Sequence, residues 1–152
     1  MKISKKTRYG LRAMIELALH KEHSSLPARF ISKKQDIPLQ YLEQIFNRLK
    51  RRGLVNTVRG PRGGYVLSRG PSKIKIKDIV AALEGTDSLV TCLAGKNASC
   101  KRADMCRARK FWKRLNRSID EILASTTLQD LTKGPRPSEK TNNIDHSYLF
   151  QI

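Results

Sequence analysis

The sequence predicts a mainly α-helical fold carrying one small β-hairpin, and three observations carry that expectation. Apolar residues recur at helical spacing through three successive segments of the N-terminal half. Two short β-prone runs follow, Leu54–Arg59 and Gly64–Ser68, joined by Gly60-Pro61-Arg62-Gly63, a turn-forming link. A long, bulky apolar stripe at the same helical period then occupies the C-terminal third.

The first helix is expected from about Thr7 to His20, with Leu11, Met14, Ile15, Ala18 and Leu19 as its apolar stripe. A short second helix starts at Pro27, whose missing N–H costs nothing in a first turn, and it buries Phe30 and Ile31. Pro38 opens the third helix and Gly53 closes it, since glycine reaches the left-handed conformation of a helix stop without strain. Leu42, Ile45, Phe46 and Leu49 form its core stripe, and Gln40, Glu43, Gln44, Asn47, Arg48 and Arg51 its polar face. Three helices followed by a hairpin is the order of a winged helix-turn-helix, drawn here over residues 1–84 with a further helix from about Ile76 to Leu83. A cysteine-bearing loop covers 85–106. A long helix from about Ala103 to Ala124 lies within a dimerisation region, 103–132. Its stripe of Ala108, Phe111, Trp112, Leu115, Ile119, Ile122 and Leu123 has little chain left to cover it, so a homodimer is expected. Residues 133–152 read as a polar, Pro-containing, flexible tail that nonetheless ends Tyr148-Leu149-Phe150-Gln151-Ile152.

Charge narrows the function. The 152 residues hold 31 Lys and Arg against 13 Asp and Glu, a net +18. Residues 1–80 contribute 19 basic and 5 acidic side chains, and residues 81–152 contribute 12 and 8. So basic an N-terminal half points to a polyanion, with double-stranded DNA the first candidate. Gln40, Gln44, Asn47 and Arg51 fall along one line of the third helix, where amides can bond adenine and arginine can bond guanine or phosphate. Tyr41 and Arg48 flank that line, and Glu43 can accept from cytosine. Arg59 and Arg62 bracket the slim turn of the hairpin, which suits a minor groove. RGPRGG lacks the spacing of a nucleotide-binding loop and sits between strands, so nucleotide binding is not expected. No nucleophile–base pair or paired carboxylates appear, which excludes an obvious enzyme. No segment is apolar enough for a membrane span. Arg12 and Glu16 break up the apolar part of the N-terminus, so it does not read as a signal peptide.

All three cysteines, Cys92, Cys100 and Cys106, fall within fifteen residues of polar loop. A thiol gains little by burial there, so ligation or reactivity is the better reading. An odd number of cysteines fits a reducing cytoplasm, where clustered thiols bind metal or react. Cys106 is expected near the first turn of the long helix, amid Arg107, Arg109, Lys110, Lys113, Arg114 and Arg117, and both features favour a thiolate or another anion.

The stretches KISKKTRYGLRAMIELAL, PLQYLEQIFNRLKRRGLV and VRGPRGGYVL, with the loop C-x7-C-x5-C, resemble IscR-type and NsrR-type bacterial winged-helix regulators over residues 1–132. The resemblance implies that the third helix and wing bind a palindromic operator. Gln40, Glu43 and Gln44 would face bases, and Arg59 would enter the minor groove. It implies that the long helix crosses its mate in the dimer, and that Cys92, Cys100 and Cys106 hold a [2Fe–2S] or [4Fe–4S] cluster. The fourth ligand departs from the relatives: Arg109 stands where one branch has a histidine, and Thr7-Arg8-Tyr9 where another has an aspartate. Asp104, His20, His23 or an exogenous ligand are the substitutes, and a thiol-redox or zinc switch on the same cysteines is the alternative. The Ile152 terminus resembles isoleucine-ended tails that dock into cysteine synthase, against the simpler reading of a tail that is disordered or packs on its own dimer.

Overall fold

A computed structural model of the 152-residue chain describes residues 3–20, 24–61, 63–85, 93, 103 and 105–133. Among them are six α-helices, one two-stranded antiparallel hairpin and a single 3-10 turn, Pro71–Lys73. Helix α1 spans Lys5–Leu19. It is capped by the Ser4 hydroxyl, which accepts from the Thr7 amide at 3.2 Å, while the Ser4 amide and hydroxyl donate to Glu84 at 3.0 and 2.7 Å. One carboxylate thereby ties the start of α1 to the end of α4, Ile76–Glu84. Burial pushes the Glu84 carboxyl up, but hydrogen bonds from Thr7 and Ser4 outweigh it and hold the group below the usual glutamate range.

The buried face of α1 is Gly10, Ala13, Met14 and Leu17, about a third of a turn away from the expected stripe. Leu11, Ile15 and Ala18 are half-buried on its flank, and Leu19 is exposed. The reason is Gly10. A Cβ there would run into Leu83 Cδ1, so the bare backbone lets α4 come close and turns that side inward.

Helix α2 is Ala28–Gln35, with Pro27 as its N-cap. Ile31 is fully buried, but Phe30, expected in the core, is 52% exposed beside the Lys34 ammonium. An eight-residue helix buries only one narrow side, and adjacent residues point about 100° apart. The buried Glu16 carboxylate of α1 takes hydrogen bonds from Lys34 Nζ at 2.7 Å and from the Gln35 amide, which locks α2 onto α1.

Helix α3, Leu39–Arg51, begins after Pro38 and buries Leu42, Ile45, Phe46 and Leu49 as expected. Gly53 follows at φ +66°, with its amide on the Lys50 carbonyl and the Leu54 amide on Leu49, the paired bonds of a glycine helix stop. Strands β1, Val55–Val58, and β2, Gly64–Leu67, pair from Val55↔Leu67 to Val58↔Gly64. Leu26 joins the far edge of β2 through hydrogen bonds of 2.9 and 2.8 Å with Tyr65. That approach needs Gly64, because a Cβ there would overlap the Leu26 carbonyl.

The long helix α5 runs Arg109–Ser125, six residues later than its expected start at Ala103. Residue 105 and the pair 107–108 form turns, and Met105 is 83% exposed, so nothing apolar anchors a helix that early. Cys106 therefore precedes the helix, its carbonyl accepting from the Arg109 amide at 3.1 Å. Helix α6, Leu128–Thr132, follows after a capping box between Thr127 and Asp130. The chain returns to the head here. Lys75 pairs with Thr127, the Ile76 amide donates to Thr126 and the Leu128 amide to Ile74, and Leu128 is fully buried in the common core.

Candidate nucleic-acid interface

The burial of α3 on one side fixes what its other side can do. With Leu42, Ile45, Phe46 and Leu49 in the core, Gln40, Glu43, Gln44, Asn47, Arg48 and Arg51 are all exposed. At about 100° per residue, Gln40, Gln44, Asn47 and Arg51 keep within a narrow arc, a row of donors and acceptors along the helix. Tyr41 lies to one side. It is half-buried against the core and meets Tyr9 edge-on at 6.0 Å, so packing accounts for much of its ring.

The wing is set against this row by aromatic packing. Tyr65 of β2 stacks on Phe46 of α3, centroids 4.0 Å apart and planes 14° apart. Burial, and then the charge of Glu43, raise the Tyr65 phenol above the ordinary tyrosine range. Lys50 Nζ donates to Thr57 Oγ1 at 2.9 Å, a second tie between α3 and β1 that the sequence reading passes over. Arg59 is exposed at the end of β1, beside Gly60 at φ +114°. Arg62 lies outside the described residues. The surface around the row is basic: Arg48, Lys50, Arg51, Arg52 and Arg59 are exposed, and Glu43 is the one exposed acid of α3.

Of the proposed sensor cysteines, Cys92 and Cys100 lie outside the described residues, as do His23, Asp104 and the tail through Ile152. His20 is half-buried as the C-cap of α1. Among the described residues Cys106 is half-buried and unbridged, and three residues later Arg109 Nη1 is buried without a hydrogen-bond partner. Among the described residues no three His, Cys, Asp or Glu side chains group to hold a metal.

The expected dimer residues sit on α5, which buries none of its 17 residues in the single chain. Phe111 is 59% and Ile122 63% exposed, Trp112 lies edge-on to Phe111 at 5.0 Å, and Leu115 and Ile119 are half-buried. Leu123 packs on the head's core, and Lys77 of α4 pairs with Asp120 at 2.7 Å. Among the described residues no helix is long and apolar enough to cross a membrane.

Comparison with known proteins agrees with this architecture. Residues 3–134 match the family model described as Rrf2, iron-dependent transcriptional regulator. The HTH-type transcriptional regulator IscR of Xenorhabdus nematophila is 38% identical over 133 residues, 88% of this chain and 80% of that protein. The solved structure of CymR, described as the global cysteine regulator of B. subtilis, is 37% identical with a TM-score of 0.71, covering 87% of this chain and 96% of that one. T. potens IscR is 34% identical with a TM-score of 0.70, covering 88% and 87%.

Proposed function

Because this chain belongs to the Rrf2 family of winged-helix transcriptional regulators, we propose that it works as a homodimer that reads a palindromic operator and senses cell chemistry through its cysteine loop. One observation carries the reading: the exposed row on α3 and the exposed Arg59 of the wing share a basic surface, with the wing fastened to α3 through Tyr65 and Phe46. In this reading Gln40, Glu43, Gln44 and Asn47 contact base edges, Arg48 and Arg51 contact guanine or phosphate, and Arg59 with Arg62 reaches the minor groove. Dimerisation covers Phe111, Trp112, Leu115, Ile119 and Ile122, which would otherwise leave a large apolar face in water.

For the sensor we propose an iron–sulfur cluster, [2Fe–2S] or [4Fe–4S], held by Cys92, Cys100 and Cys106. Thiolates are the donors such a cluster takes, and the buried Arg109 Nη1, three residues after Cys106 in sequence, has no hydrogen-bond partner among the described residues and would accommodate an anionic acceptor. A bound cluster supplies reversible one-electron chemistry and sensitivity to oxidants. The chain's own part is transmission: Cys106 leads into α5, whose far end is fixed to the head by Lys77–Asp120 and Leu123, with Leu128 of α6 buried just beyond it. A cytoplasmic location goes with this role. Anaerobic purification with an absorption spectrum and iron and sulfide analysis tests it. Visible absorption with matched iron and sulfide supports the cluster. A colourless, iron-free protein that cannot be reconstituted refutes it and leaves the zinc or thiol-redox switch.

The likeness to CymR, described as a global cysteine regulator, favours a second reading, regulation of cysteine metabolism. For the Ile152 tail we propose docking into cysteine synthase, from its isoleucine terminus alone. Removal of Ile152 should then abolish binding of the tail peptide to that enzyme. Equal affinity without Ile152 ends the idea.

A further inference from the structure

Helix α5 carries a second face that neither operator reading nor dimerisation uses. Lys110, Lys113, Arg114 and Arg117 are all exposed, and they cluster on the side of the helix cylinder opposite Phe111, Leu115, Ile119 and Ile122. Burying the apolar side in a dimer leaves this basic side in water. Among the described residues none of the four forms an ion pair.

The arrangement works against the helix itself. Lys110 with Lys113 and Arg114, and Arg117 with Lys113 and Arg114, are like charges three or four residues apart, spacings that repel. Lys110 in the first turn of α5 also sits where the helix dipole disfavours a cation. Helix stability alone does not call for four like charges at these spacings. Cys106 accounts for the near end of the stripe at most, because Lys110 to Arg117 extends about 10 Å along the axis away from it. What such a stripe complements is a line of negative charge, and the backbone of duplex DNA is one that this regulator already meets.

We propose that the Lys110–Lys113–Arg114–Arg117 face of α5 is a second, sequence-independent DNA-binding surface, engaging phosphates outside the operator half-sites. The proposal rests on the operator-binding reading above. The test uses the full chain as purified and two probes. One is a duplex of about 25 bp selected from a random library by the wild-type dimer. The other is that sequence centred in about 60 bp of arbitrary flank. Wild type should bind the long probe about tenfold more tightly and with a steeper salt dependence. The quadruple Gln variant (K110Q, K113Q, R114Q, R117Q) should bind the short probe as wild type does, lose the gain on the long one, and flatten its salt slope there by about 3 or more. A variant that keeps the long-probe gain overturns the proposal and leaves the stripe for another partner, such as an acidic protein surface. A variant that loses equally on both probes also overturns it, reducing the stripe to a general field. If wild type selects no duplex at all, the operator reading itself fails and this proposal falls with it.

Discussion

Replacing Leu128 with alanine should weaken the whole molecule, although this residue lies far along the chain from the DNA-binding head. Leu128 is completely buried in the common core, on the short helix α6 that packs against α1 and the turn at Pro71–Lys73. Its backbone is held on both sides: the Leu128 amide donates to Ile74 at 2.8 Å and the Ile76 amide to Thr126 at 3.0 Å. A segment pinned in this way cannot collapse into the space the side chain leaves. The cost therefore belongs in the upper part of the usual range for such truncations, about 3–5 kcal/mol. For a chain of this size that lowers the melting temperature by about 10 °C. Urea and thermal denaturation at two protein concentrations measure it, the second concentration separating dimer dissociation from unfolding. Leu131→Ala is the control. Leu131 is 37% exposed on the same short helix and should cost under about 1 kcal/mol. A Leu128→Ala change below about 0.5 kcal/mol would refute the claim that residues 126–132 are part of the head.

Gly64→Ala should push a methyl group into the Leu26 carbonyl and break the Leu26–Tyr65 pairing, costing about 2 kcal/mol or more by chemical denaturation. Glu84 sets part of the acid response. Its folded carboxyl lies below the unfolded value, so its contribution is complete above about pH 4.5 and fades as pH falls through the folded value. Glu84→Gln should thus be less stable than wild type at neutral pH, and the two denaturation curves should converge toward pH 3. Arg59→Ala should weaken operator binding about tenfold, whereas Glu43→Ala should relax base choice in a selection experiment with little loss of affinity. If neither substitution changes binding, the assigned reading surface is wrong.

Local rules made much of this architecture legible. Pro38 and Gly53 bracket α3 because both act through their own backbone, one by lacking a donor and the other by reaching φ +66°. The four core residues of α3 are readable because its apolar and polar faces are cleanly separated. On α1 the faces are not separate: apolar side chains occupy two flanks, and the choice between them falls to Gly10, which shows nothing at the level of a hydrophobic pattern. Phe30 misleads for the opposite reason, being a large apolar residue on a helix too short to bury two neighbours. The Leu26–Tyr65 and Leu128–Ile74 pairings join residues far apart in sequence, beyond the reach of any periodicity. At the candidate interface, the row from Gln40 to Arg51 and the exposure of Arg59 follow from pattern. The stack of Tyr65 on Phe46, which sets the wing's position, does not.

Operator affinity of one anaerobic preparation, measured before and after its iron and sulfide are removed, bears most directly on the idea that the cysteine loop governs DNA reading through α5. The affinity should change by tenfold or more, about 1.4 kcal/mol of coupling, and return on reconstitution. Substituting Cys106 with alanine should fix the protein at the stripped value. Identical affinities for the loaded, stripped and Cys106→Ala proteins would contradict a sensor in that loop.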